Sequence, residues 1–134
     1  MKKSVKKLIV MLSAAVTTVV VTAGAAGAST WADWSANYLK GAPQDSANPI
    51  AYVSLPYWSN GYNIHVSSLS GSSDRRVVVT TTNAGGLTVG EQMITAAPST
   101  TSVWTNNAIS GDVQFKIVAK GSVSCNAAGS ISIR

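Results

Sequence analysis

The side chains best suited to chemistry in this chain gather around one turn signal. Asn60-Gly61 is the strongest short hairpin signal, because both residues tolerate the positive φ that a type I′ turn demands. With those two as the loop, Ser59 pairs with Tyr62, Tyr57 faces Ile64, Leu55 faces Val66 and Val53 faces Ser68, which makes one largely apolar face. The other face then carries Trp58 across from Asn63, Pro56 across from His65 and Ser54 across from Ser67. Pro56 there marks an edge strand or a bulge, since it cannot donate to a ladder. A flat indole beside an amide, an imidazole and hydroxyls is what a sugar ring requires. Its C–H face stacks on the aromatic while its hydroxyls find donors and acceptors. The expected ligand-binding set is therefore Trp58, Asn63, His65, Ser54 and Ser67.

Catalytic chemistry finds less support. His65 is the one histidine and Cys125 the one cysteine, so there is no second histidine or cysteine cluster to hold a catalytic zinc. A Ser-His-Asp set can be drawn from His65 with Asp74 or Asp112, yet no strained nucleophile turn marks a serine. Glu91 and the Asp residues could supply two carboxylates for glycoside hydrolysis, but no spacing singles out a pair. Asn106, Asn107 and Asp112 are conceivable calcium ligands without the run of acidic residues that an EF-hand loop needs. The expectation is a non-enzyme with no cofactor and no metal.

The elements that must position these residues are strands. Short runs rich in Val, Ile, Thr and Tyr occur at Ile50 to Trp58, Tyr62 to Leu69, Arg75 to Thr82, Leu87 to Ile94, Thr101 to Thr105, Val113 to Lys120 and Gly129 to Ile133. Turn residues separate them, a spacing that predicts an antiparallel β-sandwich of about seven strands, jelly-roll or Ig-like. Val113, Phe115, Ile117 and Ala119 alternate with Gln114, Lys116 and Lys120, and Ile131 and Ile133 with Ser130, Ser132 and Arg134. One face of each strand packs and the other is wet. Before the sheet, Trp31 to Lys40 reads as a helix: Ser29 or Thr30 caps it, Gly41 and Pro43 stop it, and Trp31, Trp34 and Tyr38 share one face. Seven of the nine aromatics after residue 28 precede residue 63, leaving Trp104 and Phe115 for the core.

Met1 to Ala28 reads as a secretory signal peptide, with Lys2, Lys3, Lys6 and Lys7 ahead of an apolar run from Leu8 to Ala23 and a small-residue site at Ala26-Gly27-Ala28. The mature chain would start at Ser29 as a single secreted, extracellular domain over residues 29–134, without stable membrane insertion. A leader with four lysines and a long apolar run is similar in style to bacterial export signals. Its removal also changes the charge. The whole chain carries a formal +5, whereas residues 29–134 hold Lys40, Arg75, Arg76, Lys116, Lys120 and Arg134 against Asp33, Asp45, Asp74, Glu91 and Asp112, a formal +1. Nucleic-acid binding needs clustered cations, and only Arg75 and Arg76 are adjacent. A lone Cys125 rules out an internal disulfide and leaves a homodimer through that thiol open. The function these features favour is a non-catalytic binding module for cell-wall or extracellular polysaccharide. A structural, matrix or assembly protein, and a secreted antagonist such as a bacteriocin or inhibitor, are the alternatives.

Overall fold

The computed structural model describes residues 20–22, 30–104 and 111–134. Among them the chain forms nine strands and no helix: β1 (Val20–Thr22), β2 (Trp31–Leu39), β3 (Ala51–Pro56), β4 (Tyr62–Gly71), β5 (Arg76–Thr82), β6 (Thr88–Ile94), β7 (Ser99–Val103), β8 (Asp112–Lys120) and β9 (Ser124–Ile133). All seven expected strands are present, with shifted ends. One antiparallel sheet has the order β2-β9-β4-β7 and the other β3-β8-β5-β6, to whose β3 edge β1 adds a short parallel pairing. The pairings nest: β2 with β9, β3 with β8, β4 with β7 and β5 with β6, so the eight antiparallel strands follow the path of one long hairpin rolled up.

Period-two patterning explains the core. Val53 and Leu55 of β3, Val77 and Val79 of β5, and Val113, Phe115 and Ile117 of β8 point inward from one sheet. They form a single apolar cluster with Trp34 and Ala36 of β2, Tyr62, Ile64 and Val66 of β4, and Ile131 of β9 from the other. The Tyr62 and Phe115 rings meet edge to face at 5.0 Å and tie the two sheets together.

The expected helix at Trp31 to Lys40 is a strand instead. β2 pairs with β9 over nine residues, from Trp31↔Ser132 to Leu39↔Ser124. Its burial alternates from Trp31 to Ala36, with Ala32, Trp34 and Ala36 inside and Trp31, Asp33 and Ser35 outside. The segment carries both a helical and a period-two pattern. The second wins because β9 offers a full-length partner that has room for the Trp34 indole. Gly129 lies across from Trp34, and a Cβ on it would sit 2.8 Å from the Trp34 ring and 1.9 Å from the His65 carbonyl oxygen. The leader assigned to residues 1–28 lies outside the described residues except for Val20–Thr22.

The expected β3–β4 hairpin does not form either. β3 pairs with β8 and β4 with β7 and β9, so Asn60-Gly61 sits where the chain crosses between sheets. Gly61 has a φ of +89° while among the described residues, Asn60 included, none other than glycine has positive φ, so the type I′ turn is absent. The Gly61 N–H instead donates to the Trp58 carbonyl at 3.1 Å, closing a turn with glycine at its last position. The buried Tyr62 hydroxyl stitches the crossing, donating to the Pro56 carbonyl at 2.6 Å and accepting from the Trp58 N–H at 3.0 Å. Val53, Leu55, Ile64 and Val66 all face the core as expected, but from opposite sheets rather than as cross-strand pairs.

Candidate functional site

The register brings hydroxyl, amide, imidazole and carboxylate side chains together on the outer face of the β2-β9-β4-β7 sheet. Two rungs cross it. One runs Trp31, Ser132, Asn63, Ser102; the next runs Asp33, Ser130, His65, Thr100. Parity places all eight outward, because Ala32, Ile64 and Ile131 between them are buried and Val103, next to Ser102 on β7, is buried too. Four strands at their usual spacing make the platform about 14 Å wide, with rungs about 7 Å apart along the strands. The Ser102 hydroxyl donates to Asn63 Oδ1 at 2.9 Å, which orients that amide. His65 Nδ1 lies 3.0 Å from Thr100 Oγ1.

Indoles flank this platform. Trp31 on edge strand β2 is 55% exposed, and Trp104, one residue beyond β7, is also 55% exposed. The Arg134 guanidinium stands 4.4 Å from the Trp104 ring centroid, close enough for a cation–π contact. Arg134 also donates its backbone N–H to the Gly61 carbonyl at 3.1 Å, and its own carbonyl accepts from Trp58 Nε1 at 2.7 Å. Gly61 permits this closure, since a Cβ there would lie 2.2 Å from the Val103 carbonyl oxygen. Trp58, Trp104 and Arg134 thus share one end of the sheet, with the rungs of Asn63 and His65 beside them.

Of the five residues expected to bind ligand, the structure gathers two. Asn63 and His65 are neighbours on this face. Trp58 is at its end, half-exposed and tethered through its indole N–H. Ser67 is the extra residue of a β-bulge between Val66 and Ser68, and its hydroxyl donates to the Ala128 carbonyl at 3.0 Å. Ser54 is on the other sheet, paired with Gln114, on the outer face away from Asn63. Sequence reasoning missed Trp31, which the helical pattern hid, and Trp104, which it assigned to the core. Only Phe115 of that pair is core. The alternation of Ser130 and Ser132 with Ile131 and Ile133 pointed to this face, as did the outward reading of Asn63 and His65.

Among the described residues no three His, Cys, Asp or Glu side chains come together to hold a metal ion, and no helix is long and apolar enough to cross a membrane. Cys125 is fully buried, with its Sγ 3.6 Å from the Arg76 carbonyl, and burial pushes its thiol pKa up. A disulfide to a second chain would require β9 to open. No protein-family model, no curated protein and no solved structure matches the chain.

Proposed function

We propose that the protein is a secreted, non-catalytic binding module that holds polysaccharide on the outer face of the β2-β9-β4-β7 sheet. The observation that carries this reading is the two-rung platform of Asn63, Ser102, Ser132, His65, Thr100 and Ser130 between the exposed indoles of Trp31 and Trp104. A sugar ring presents C–H bonds on its faces and hydroxyls on its rim. An indole covers the first, and a surface of hydroxyls, an amide and an imidazole, with the Asp33 carboxylate at its β2 edge, exchanges hydrogen bonds with the second. The flat, open shape suits a polymer chain lying across the strands better than a small molecule, which needs a concave pocket.

We read the eight antiparallel strands as a jelly roll, which the nested strand pairing supports. The same architecture carries many unrelated functions, so the proposal rests on the platform and not on the fold. Export through cleavage before Ser29 is part of the proposal; mass spectrometry of the exported protein is expected to find Ser29 at its N-terminus.

Retention on insoluble peptidoglycan, chitin and cellulose tests the binding reading. The unaltered protein is expected to be retained on one of them, and Trp31→Ala and Trp104→Ala to lose retention while still unfolding cooperatively. Full retention by both variants would remove the platform as the binding face.

A further inference from the structure

β3 begins at Ala51, opposite Ile117, so Val118, Ala119 and Lys120 at the end of β8 run on without a β3 partner. β5 stays beside them as far as the Arg76↔Lys120 pair. A groove of about 470 Å³ opens at this step, and Tyr38, Gln44, Arg76, Lys116, Val118 and Lys120 line it. Lys116 and Lys120 share the outward parity of β8, four residues apart, which places their backbones about 13 Å from one another. Arg76 is the cross-strand neighbour of Lys120, about 5 Å away. Half of the six cations between residues 29 and 134 therefore meet in one groove, and no acidic side chain lines it. The nearest acid is Asp74, whose Oδ2 lies 3.9 Å from Arg76 Nη1 and whose Oδ1 accepts from the Ser122 N–H at 2.8 Å; Arg76 Nη1 also donates to the Asp74 carbonyl at 3.2 Å, and its other guanidinium N–H groups remain to face the groove.

We propose that this groove binds an anionic glycan or polyol chain, with Arg76 and Lys120 engaging one phosphate or carboxylate group and Lys116 another. The positive points are separated along the strand, as a chain with recurring charges requires. An arginine fork beside a lysine suits an oxyanion, and the Val118 side chain between the lysines offers an apolar floor to the C–H groups of a polyol. Nucleic acid fits less well. The one ring in the groove, Tyr38, is half-buried and unsuited to stacking bases, and three cations are few for a duplex. The groove is on the opposite sheet from Asn63 and His65, so this site stands or falls separately from the hydroxyl-rich platform.

The test is binding of the full chain to poly(glycerol phosphate) and to polygalacturonate, with neutral dextran and duplex DNA alongside, across a salt series. Three charge contacts to a flexible polyanion predict a log–log salt slope of about −2, hence roughly 20-fold weaker binding at 200 mM than at 50 mM salt. Lys116→Ala combined with Lys120→Ala is expected to abolish most of the binding and bring the slope to about −1 or shallower, with thermal unfolding unchanged. The matching Lys→Arg double variant is expected to restore it. Lys40→Ala, which removes a charge outside the groove, is expected to bind as the unaltered protein does. A preference between the two polymers identifies phosphate or carboxylate as the group held. Binding to neither, equal loss in Lys40→Ala, or tighter binding to duplex DNA would each overturn the proposal.

Discussion

Tyr62 shows most directly how one side chain holds the crossing between sheets that keeps Asn63 and His65 in place. Its hydroxyl is buried between the Pro56 carbonyl and the Trp58 N–H, and desolvation pushes its pKa from 10.0 up to about 12, with the Trp58 hydrogen bond opposing. The unfolded phenol loses its proton near pH 10 while the folded one keeps it until about 12. The contribution is therefore fully present below pH 10 and is lost as pH rises to 12. Urea unfolding at a series of pH values is expected to show stability falling by roughly 2–3 kcal/mol across that window, and Tyr62→Phe is expected to remove most of that fall. The same variant leaves the Pro56 carbonyl without its donor, and at neutral pH it is expected to cost about 1–3 kcal/mol. Cys125 gives a simpler readout at this scale. Burial predicts that a thiol reagent reacts slowly with the native protein and rapidly once denaturant is added; rapid reaction with the native protein would contradict the packing of β9.

At the scale of elements, β2 and β9 decide whether the platform exists. In a helix Trp31, Trp34 and Tyr38 would share one face, whereas in β2 the first two point to opposite sides. Trp34→Ala is therefore expected to cost about 3–5 kcal/mol, the loss of a buried aromatic, and Trp31→Ala no more than about 0.5 kcal/mol. Equal costs, measured by chemical denaturation, would restore the helical reading. Gly129→Ala tests the pairing from the other side. The added methyl meets the His65 carbonyl oxygen and the Trp34 ring at once, and overpacking of this severity is expected to cost about 3 kcal/mol or more. The bulge at Ser67 works at the same scale. It lets Val66 and Leu69, three residues apart, both turn toward the core, because two residues on β4 then oppose one on β9. The extra residue ends the outward row that begins at Asn63 and His65.

At the scale of the whole molecule, two sheets share one core and leave two outer faces of different chemistry. One is hydroxyl-rich around Asn63 and His65, with Asp33 at its β2 edge; the other carries Lys116, Lys120 and Arg76 on one groove. Among the described residues, β1 is the strand drawn from the segment read as a leader, and it contributes a three-residue pairing at the β3 edge. A chain beginning at Ser29 is therefore expected to keep the same far-ultraviolet spectrum as the full chain and a melting temperature within about 5 °C of it, the shift that roughly 1 kcal/mol produces in a domain of this size. Loss of cooperative unfolding in the shorter chain would assign β1 a structural role.

Local pattern alone determined a good deal of this. Seven strands, their inward and outward residues and the absence of an internal disulfide follow from alternation, β-branched runs and a single cysteine, all of which act between near neighbours. Asn63 and His65 were legible as outward residues for the same reason. What faces them was decided only in three dimensions. Asn60-Gly61 has the residues of a tight hairpin, yet Leu55, Ile64 and Val66 are buried in one core from opposite sheets rather than sharing a ladder. Non-local pairing of β3 with β8 and of β4 with β9 thus overrides the local turn preference. The same competition turned Trp31 to Leu39 from helix to strand. The helical stripe is a property of ten residues, while the partner that stabilises the strand lies about ninety residues away in β9. The groove of Arg76, Lys116 and Lys120 was hidden for the same reason, since its charges are scattered in sequence and only the β5–β8 register and the early end of β3 bring them together.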